Sequence, residues 1–315
     1  MTSFKHKIFP GAAFVFFTFF LASLNPANLA ASDPRIAVLL SYSGAPFQET
    51  LSGFQQYLRK QGVQVGYEIY PLEGEETKAT QSMQEIKKSK VNLLFTLGSL
   101  ATETALRETP DLPVIASMVL RTESLQRAPN ATGVVLEFPL ETQFKWLKRF
   151  LPEVRRVGVI YSAENQERVE AAVKVAQRMG LRMESSAIRT PQDLPPALET
   201  LANNVEVIWG VADRLVLNPQ TAKHILLFSF RNLIPFIGLS DSWVKAGALY
   251  SMDWDYPDLG MQCGEMALKV LQGIKVNTIL PASPRRALYS LNLKTARHMK
   301  LNLSEALVRD AHRVF

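Results

Sequence analysis

The sequence predicts an α/β fold of two doubly wound parallel-sheet lobes joined by hinge strands. Apolar, strand-like runs alternate with helix-length amphipathic segments along the chain after residue 34, which is the pattern of a parallel sheet with right-handed crossovers. This order occurs twice, before about residue 137 and again from about residue 152. Several runs, such as VNLLFTL at 91–97, are apolar without alternation, as expected of strands covered on both faces.

The elements follow from these runs in chain order. The predicted strands cover residues 35–41, 63–70, 91–97, 112–118, 154–161, 181–188, 205–211 and 234–238. The predicted helices between them cover residues 46–61, 77–88, 99–108, 140–151, 165–179, 190–203 and 221–232.

Residues that favour helix ends support these bounds. Gly62 and Gly180 each follow a last helical turn, where a left-handed residue is common. Thr190 before Pro191 predicts an N-cap followed by proline in the first turn. Asp255, with Asp258 three residues later, resembles a capping box.

Two extended segments, 130–138 and 247–253, are interpreted as hinge strands. The helix at 255–272 is expected to return to the first lobe, and the tail at 288–315, with a strand and short helices, to belong to the second. The predicted domains are therefore a signal peptide (1–31), lobe 1 (32–137 plus 254–280) and lobe 2 (138–253 plus 281–315).

The N-terminal segment has the three parts of a secretory signal peptide. A basic head with Lys5 and Lys7 precedes an apolar run at 8–24 and small residues near Ala30 and Ala31. We expect cleavage after Ala30 or Ala31, a periplasmic product and no membrane insertion afterwards. The alternative is an uncleaved anchor, for which the run is short. No cysteine follows the run, which excludes a lipobox anchor.

Charge and composition limit the function classes. The net charge is +6, and removal of residues 1–30 with their two lysines leaves 33 − 29 = +4. The charges are scattered, so nucleic-acid binding is not expected. The single cysteine, Cys263, is interpreted as a buried small hydrophobe. About 285 mature residues exceed what one core usually holds, which also favours two lobes.

Catalytic and metal-binding patterns are missing from the sequence. It contains no G-x-S-x-G, H-E-x-x-H, G-x-G-x-x-G or Walker motif, and its four histidines are dispersed. We therefore predict no catalytic residue, no metal and no cofactor, and a protein that holds a small molecule without transforming it.

Candidate ligand residues in the first half follow predicted strands, where open parallel sheets bind ligands. Ser41 and Tyr42 follow the first strand, although Tyr42 could simply cover the sheet edge. In TLGSLAT (96–102), the backbone amides near Ser99 and Leu100, with the hydroxyls of Ser99 and Thr102, could seat a carboxylate. Ser99 is in any case expected to cap its helix. Met118 is a possible pocket wall or a core residue.

In the second half, the candidates are two carboxylates and their neighbours. Asp213 and Asp241 could receive a ligand ammonium group, with Ser242 and Trp243 beside Asp241. Asp213 could instead pair with Arg214, and Asp241 could cap a helical turn. Trp209 is expected in the core, because it lies inside an apolar strand.

Several segments in order resemble the periplasmic solute-binding proteins of ABC importers, in the type I superfamily and the branch associated with tryptophan and other aromatic amino acids. The matching segments are LFTLGSLATETAL (94–106), NATGVV (130–135), FLPEVRRVGVIYS (150–162), IPFIGLSDSWVKAGAL (234–249), DYPDLG (255–260), GEMALKVLQG (264–273) and NLKTARHMKLNL (292–303). The turns at 239–242 and 162–165 depart from the family pattern.

The resemblance implies a monomer whose two lobes close over an amino-acid-like ligand and deliver it to an ABC permease with a cytoplasmic ATPase. The alternative is a sensory binding protein that presents its ligand to a membrane receptor or kinase.

Overall fold

The computed structural model describes Met1, Thr2, residues 33–120 and residues 123–315. The chain divides into two compact units, Met1–Ser32 and Asp33–Phe315. The predicted signal peptide falls almost entirely outside the described residues. Among the helices of the described part, none has both the length and the apolar character needed to span a bilayer.

The first half of the larger unit builds a five-stranded parallel sheet, sheet 1, in the order β2-β1-β3-β4-β5. Its strands are β1 (Arg35–Leu40), β2 (Gly66–Pro71), β3 (Leu93–Leu97), β4 (Val114–Val119) and β5 (Ala131–Val135). The helices between them are α1 (Ala45–Lys60), α2 (Glu76–Ile86), α3 (Ser99–Glu108) and α4 (Glu123–Arg127).

The second half builds a seven-stranded sheet, sheet 2, in the order β12-β11-β10-β9-β8-β6-β7. Its strands are β6 (Arg156–Tyr161), β7 (Arg182–Ala187), β8 (Val207–Trp209), β9 (Phe236–Gly238), β10 (Tyr250–Trp254), β11 (Ala287–Leu291) and β12 (Arg313–Val314). The remaining helices are α5 (Leu140–Phe150), α6 (Gln166–Arg178), α7 (Leu194–Ala202), α8 (Pro219–Asn232), α9 (Asp241–Ala246), α10 (Tyr256–Leu271), α11 (Leu293–His298) and α12 (Glu305–Arg309). The fully parallel prediction is wrong at β11, which pairs antiparallel with β10.

Both faces of each sheet are covered, as the continuous apolar strands predict. Four separate clusters of buried side chains form, two on each sheet. Stacked rings lie at the centre of two of them: Phe54 on Phe95 in lobe 1, and Phe150 on Tyr250 in lobe 2, with centroids 3.9 and 4.0 Å apart. The two-lobed α/β fold is confirmed.

The chain passes between the sheets at three places. The first follows β5, the second joins β10 to α10, and the third spans residues 279–286 before β11. Segment 130–138 contains β5 and segment 247–253 ends within β10, and a crossing follows each of these strands. The third crossing contains the change of lobe predicted between residues 280 and 281. The exact lobe boundaries remain a prediction.

The helix α10 returns to lobe 1, as expected, and packs against α1. Two glycines make the close approach possible: a Cβ on Gly260 would lie 1.9 Å from the Thr50 carbonyl oxygen, and one on Gly53 would lie 2.0 Å from that of Pro257. Any larger side chain at either position would separate the helices.

The predicted helix ends are mostly confirmed. Gly62 and Gly180 adopt positive φ angles of 74° and 73°, and Thr190 forms a capping box with Asp193. Asp255 caps α10 by accepting the Asp258 N–H. The reciprocal half of that box is wrong, because the Asp258 carboxylate accepts from the Arg285 guanidinium instead.

Candidate functional site

The β1–α1 loop and the start of α3 meet at the carboxyl edge of sheet 1. The buried Ser41 donates its N–H to the Leu97 carbonyl, 2.8 Å away, and its Oγ accepts the Ala101 N–H at 3.0 Å. Helix α3 is therefore capped from a neighbouring strand, and its N-cap residue is Gly98. The prediction that Ser99 caps this helix is wrong. Ser41 is occupied as a structural acceptor within the protein.

Gly98 fixes the geometry of this helix start. It adopts φ 95° and ψ 165°, a region essentially restricted to glycine. A Cβ there would also lie 2.5 Å from Ser41 Oγ. Helical geometry leaves the amides of Ser99 and Leu100 without an intrahelical acceptor. The Ser99 side chain is exposed and Leu100 is half-buried, so this end of α3 is accessible to an anion.

Thr102 lies inside the protein, beneath that helix start. Its Oγ1 donates to the Gly98 carbonyl at 2.9 Å and contacts Thr96 Oγ1 at 2.9 Å, and the residue is fully buried. Its hydroxyl therefore supports the Gly98 turn from below, and we do not carry it into the proposed site as a ligand contact.

An aromatic pair lies beside the same loops. Tyr42 is 55% exposed and makes an edge-to-face contact with Phe47, with centroids 6.0 Å apart. The Tyr42 ring covers Gly74, whose Cβ would lie 2.9 Å from Cε1 of the ring. Phe47 is half-buried in the first turn of α1, next to Gly98. Phe47 was not among the residues predicted from sequence, although it lies only five residues after Tyr42, in the first turn of α1.

Met118 is the penultimate residue of β4 and lies at an irregularity in the pairing with β5. Its φ of 59° is uncommon for a residue with a long side chain. The half-buried side chain packs against the lobe-1 core, and Sδ accepts the Thr50 hydroxyl at 3.7 Å. Both expectations, pocket wall and core, are compatible with this half-buried position. Arg121, two residues beyond β4, lies outside the described residues.

Asp213 is buried and satisfied within lobe 2. Its Oδ2 accepts the N–H and hydroxyl of Ser162 and the Asn165 amide, at 2.7–3.0 Å. Its Oδ1 accepts the amides of Leu215 and Val216. Burial opposes ionisation, but these donors outweigh it and lower the pKa of Asp213 below its ordinary value. The Asp213 carboxylate does not form an ion pair with Arg214. Because it already accepts five hydrogen bonds, it has no room for a ligand ammonium group.

Asp241 is also engaged. It is the first residue of α9, after the N-cap Ser240. It accepts the Ser290 hydroxyl and lies 2.8 Å from the Arg313 guanidinium. Trp243 packs against Phe236, with centroids 5.3 Å apart, on the lobe-2 core, and Ser242 is exposed. Trp209 lies in the other lobe-2 core, as predicted.

The crossings between the lobes carry a second aromatic group. Phe138 follows β5, Trp254 ends β10, and Tyr256 begins α10. The rings of Phe138 and Trp254 are nearly parallel, with centroids 6.0 Å apart, and Tyr256 lies 6.4 Å from Trp254. Burial, and then the neighbouring Asp253, raise the pKa of Tyr256 to about 12. Tyr256 and Phe47 pack on the same lobe-1 core.

No cluster of three or more histidine, cysteine, aspartate or glutamate side chains suited to a metal ion occurs in residues 33–120 and 123–315. Burial raises the pKa of Cys263 to about 12, which keeps this thiol protonated and unreactive.

Comparisons with known proteins agree with this architecture. A family described as "ABC transporter substrate binding protein" matches residues 35–315. A tyrosine-binding protein of Clostridioides difficile is 24% identical over 213 residues, covering 64% of this chain and 61% of that protein.

Two solved structures have the same fold. A ligand-free, open substrate-binding protein with adhesive properties from Clostridium difficile is 19% identical, with a TM-score of 0.76 over 89% of this chain and 99% of that one. An ABC domain from Streptococcus pneumonia in complex with L-Trp is 22% identical, with a TM-score of 0.59 over 90% of this chain and all of the other.

Proposed function

Because this chain belongs to the ABC transporter substrate-binding protein family, we propose that it captures a small amino-acid-like solute, with an aromatic side chain, between its two lobes. The protein holds the solute and does not transform it. After export to the periplasm it delivers the solute to an ABC permease driven by a cytoplasmic ATPase.

The start of α3 is the observation that carries this proposal. Its free amides form part of the positive end of the helix dipole, which favours a carboxylate. Ser41 and Gly98 hold this turn in one geometry, so little ordering is required when a ligand binds. A carboxylate on the Ser99 and Leu100 amides is therefore the first anchor.

Ring-shaped side chains support an aromatic solute. Tyr42 and Phe47 border the carboxylate anchor, and Phe138, Trp254 and Tyr256 lie where the chain crosses between lobes. Offset or edge-to-face contacts add about 0.5–1.5 kcal/mol per ring pair beyond area burial. The relative named for tyrosine and the fold neighbour bound to L-Trp favour the same ligand class.

Capture is coupled to closure of the lobes. A ligand that contacts both lobes at once stabilises the closed arrangement by its differential affinity for that state. Micromolar binding corresponds to about 8 kcal/mol, which a charge-assisted carboxylate anchor and ring burial can supply. The permease then distinguishes the closed, loaded form from the open one.

Titration calorimetry of the purified protein against the twenty L-amino acids tests this proposal. We expect micromolar dissociation constants for one or more of L-tryptophan, L-tyrosine and L-phenylalanine, and much weaker binding of the aliphatic ones. Absence of binding for every aromatic amino acid would refute the proposed ligand class. Tryptamine and tyramine, which lack the carboxylate, serve as matched controls and should bind at least tenfold more weakly.

A further inference from the structure

Asp253 lies at the end of β10, one residue before its last residue, Trp254, from which the chain crosses to lobe 1. It is half-buried, and its Oδ1 accepts the Trp254 N–H at 2.8 Å. The Tyr256 hydroxyl lies beside the same carboxylate. Asp253 therefore projects where the two lobes join, among the rings that border the proposed ligand.

The charges around Asp253 leave it without an ion pair. Arg313 pairs with Asp241 at 2.8 Å, and no ion pair among the described residues includes Asp253. The charged and titratable groups that affect it or the adjacent Tyr256 are Asp241, His312, Arg313 and Glu49. Burial raises the pKa of Asp253, and the neighbouring Asp241 carboxylate raises it further. The Trp254 amide, His312 and Arg313 oppose this rise only in part. Among the described residues, Arg313 is therefore committed to Asp241, and neither Arg313 nor His312 forms an ion pair with Asp253.

Buried polar atoms beside Asp253 also lack partners. Ser251 is fully buried, and its Oγ has no hydrogen-bond partner. Because side chains alternate along a strand, Ser251 and Asp253 project from the same face of β10. The Trp254 indole Nε1 is buried and unpartnered as well. Unpaired buried polar atoms cost about 1–3 kcal/mol each. The Trp254 side chain projects from the opposite face of β10, so the unpartnered Ser251 hydroxyl is the observation that indicates a polar ligand group on the Asp253 face.

We infer that Asp253 is the residue that receives the ammonium group of the captured solute. This inference rests on the proposed function and adds the second anchor to the carboxylate seat at α3. The Tyr256 ring, whose hydroxyl lies near Asp253, would contribute cation–π attraction to the same group. Asp213 and Asp241, the two carboxylates predicted from sequence for this role, are occupied by five donors and by an arginine.

The test compares ligands with and without the ammonium group on wild-type protein and Asp253→Asn. The pairs are L-tryptophan with indole-3-propionate, and L-tyrosine with 3-(4-hydroxyphenyl)propionate. The wild-type protein should bind the amino acid about 10- to 100-fold more tightly than its deaminated analogue, because one charge-assisted hydrogen bond contributes a difference of that size. In Asp253→Asn that preference should fall below about threefold, mainly because the amino acid binds more weakly.

Asp255→Asn is the matched control. It removes one carboxylate two residues away, and asparagine keeps the helix cap that Asp255 provides, so the wild-type preference should persist. An unchanged preference in Asp253→Asn would overturn the inference while leaving the proposed function intact. Failure of wild-type protein to bind either amino acid would instead refute the proposed function.

Melting of the ligand-free proteins separates a binding role from a structural one. Because the folded protein disfavours the ionised Asp253, Asp253→Asn should melt at or above the wild-type temperature at pH 7. A lower melting temperature, together with equal weakening of both ligands in a pair, would assign Asp253 a structural role and overturn the inference.

Discussion

Some of the candidate ligand residues stabilise the turns at the sheet edges, and others keep polar groups free to contact a ligand. Ser41 and Thr102 were predicted as ligand contacts from their position after strands, but both hydroxyls are engaged in internal hydrogen bonds. The Asp213 carboxylate is likewise engaged, because it accepts hydrogen bonds from residues of lobe 2. Sequence position indicates which turns lie at the carboxyl edge of a sheet, but hydrogen-bond partners decide which atoms remain available.

Gly98→Ala should damage both stability and binding. The substitution places a Cβ 2.5 Å from Ser41 Oγ and forces a positive φ on alanine, so we expect a loss of about 2 kcal/mol or more in unfolding free energy. Amino-acid affinity should also fall, because the α3 amides shift. Urea denaturation and calorimetry measure the two effects.

Gly62→Ala is the control for that experiment. Gly62 also has a positive φ, but nothing lies within 4 Å of its Cβ position. Its loss should be about 1 kcal/mol, with ligand affinity unchanged. Equal losses in the two variants would contradict the steric role assigned to Gly98.

Asp213→Asn should destabilise the protein in a pH-dependent way. The amide cannot accept all five hydrogen bonds, so we expect a loss of about 2–3 kcal/mol at pH 7. Since the folded pKa of Asp213 lies below its unfolded value of about 3.9, the carboxylate stabilises the fold above that pH. Its contribution disappears as the pH falls through the folded pKa. The difference in unfolding free energy between the two proteins should therefore stay constant down to about pH 4 and shrink at lower pH. A difference that does not shrink below that pH would contradict this account.

At the scale of elements, the sequence allowed most of the fold to be predicted, because apolar runs and helix periods are local properties. The predicted bounds of α3 agree with the structure, and its neighbours differ by a few residues. The antiparallel direction of β11 was not predicted, since strand direction depends on contacts distant in sequence. The pairing of Arg285 with Asp258, 27 positions apart in sequence, is one such contact.

Arg285→Ala should weaken the third crossing. Its guanidinium contacts both Asp258 oxygens at 2.8–3.0 Å and Glu265 at 2.6 Å, and the Asp258 side chain is only 4% exposed. Removal leaves that carboxylate buried without its cation, at a cost of about 2–3 kcal/mol. Thermal or urea unfolding measures the loss.

Arg286→Ala is the neighbouring control. Arg286 is largely exposed and reaches Asp255 at 3.5 Å, so its loss should stay below about 1 kcal/mol. If both arginine variants lost the same stability, the Asp258 contact would not be what anchors the crossing.

At the scale of the whole molecule, the site depends on the arrangement of two lobes connected by three crossings. The proposed carboxylate seat at α3 lies in lobe 1, while Asp253 is the penultimate residue of β10 in lobe 2. The sequence also predicts anchors divided between the lobes, with Asp213 and Asp241 as the carboxylates. The pairing of Arg313 with Asp241 joins residues 72 positions apart and was not predicted. Under the proposed function, a ligand that bridges both anchors must draw the lobes together.

Small-angle X-ray scattering tests this coupling most directly. The radius of gyration would be measured for the protein alone and with a saturating concentration of the aromatic amino acid that binds in calorimetry. We predict a smaller radius and a narrower distance distribution in the loaded protein, and no such change with the deaminated analogue. An unchanged radius at confirmed saturation would contradict a ligand held jointly by the two lobes.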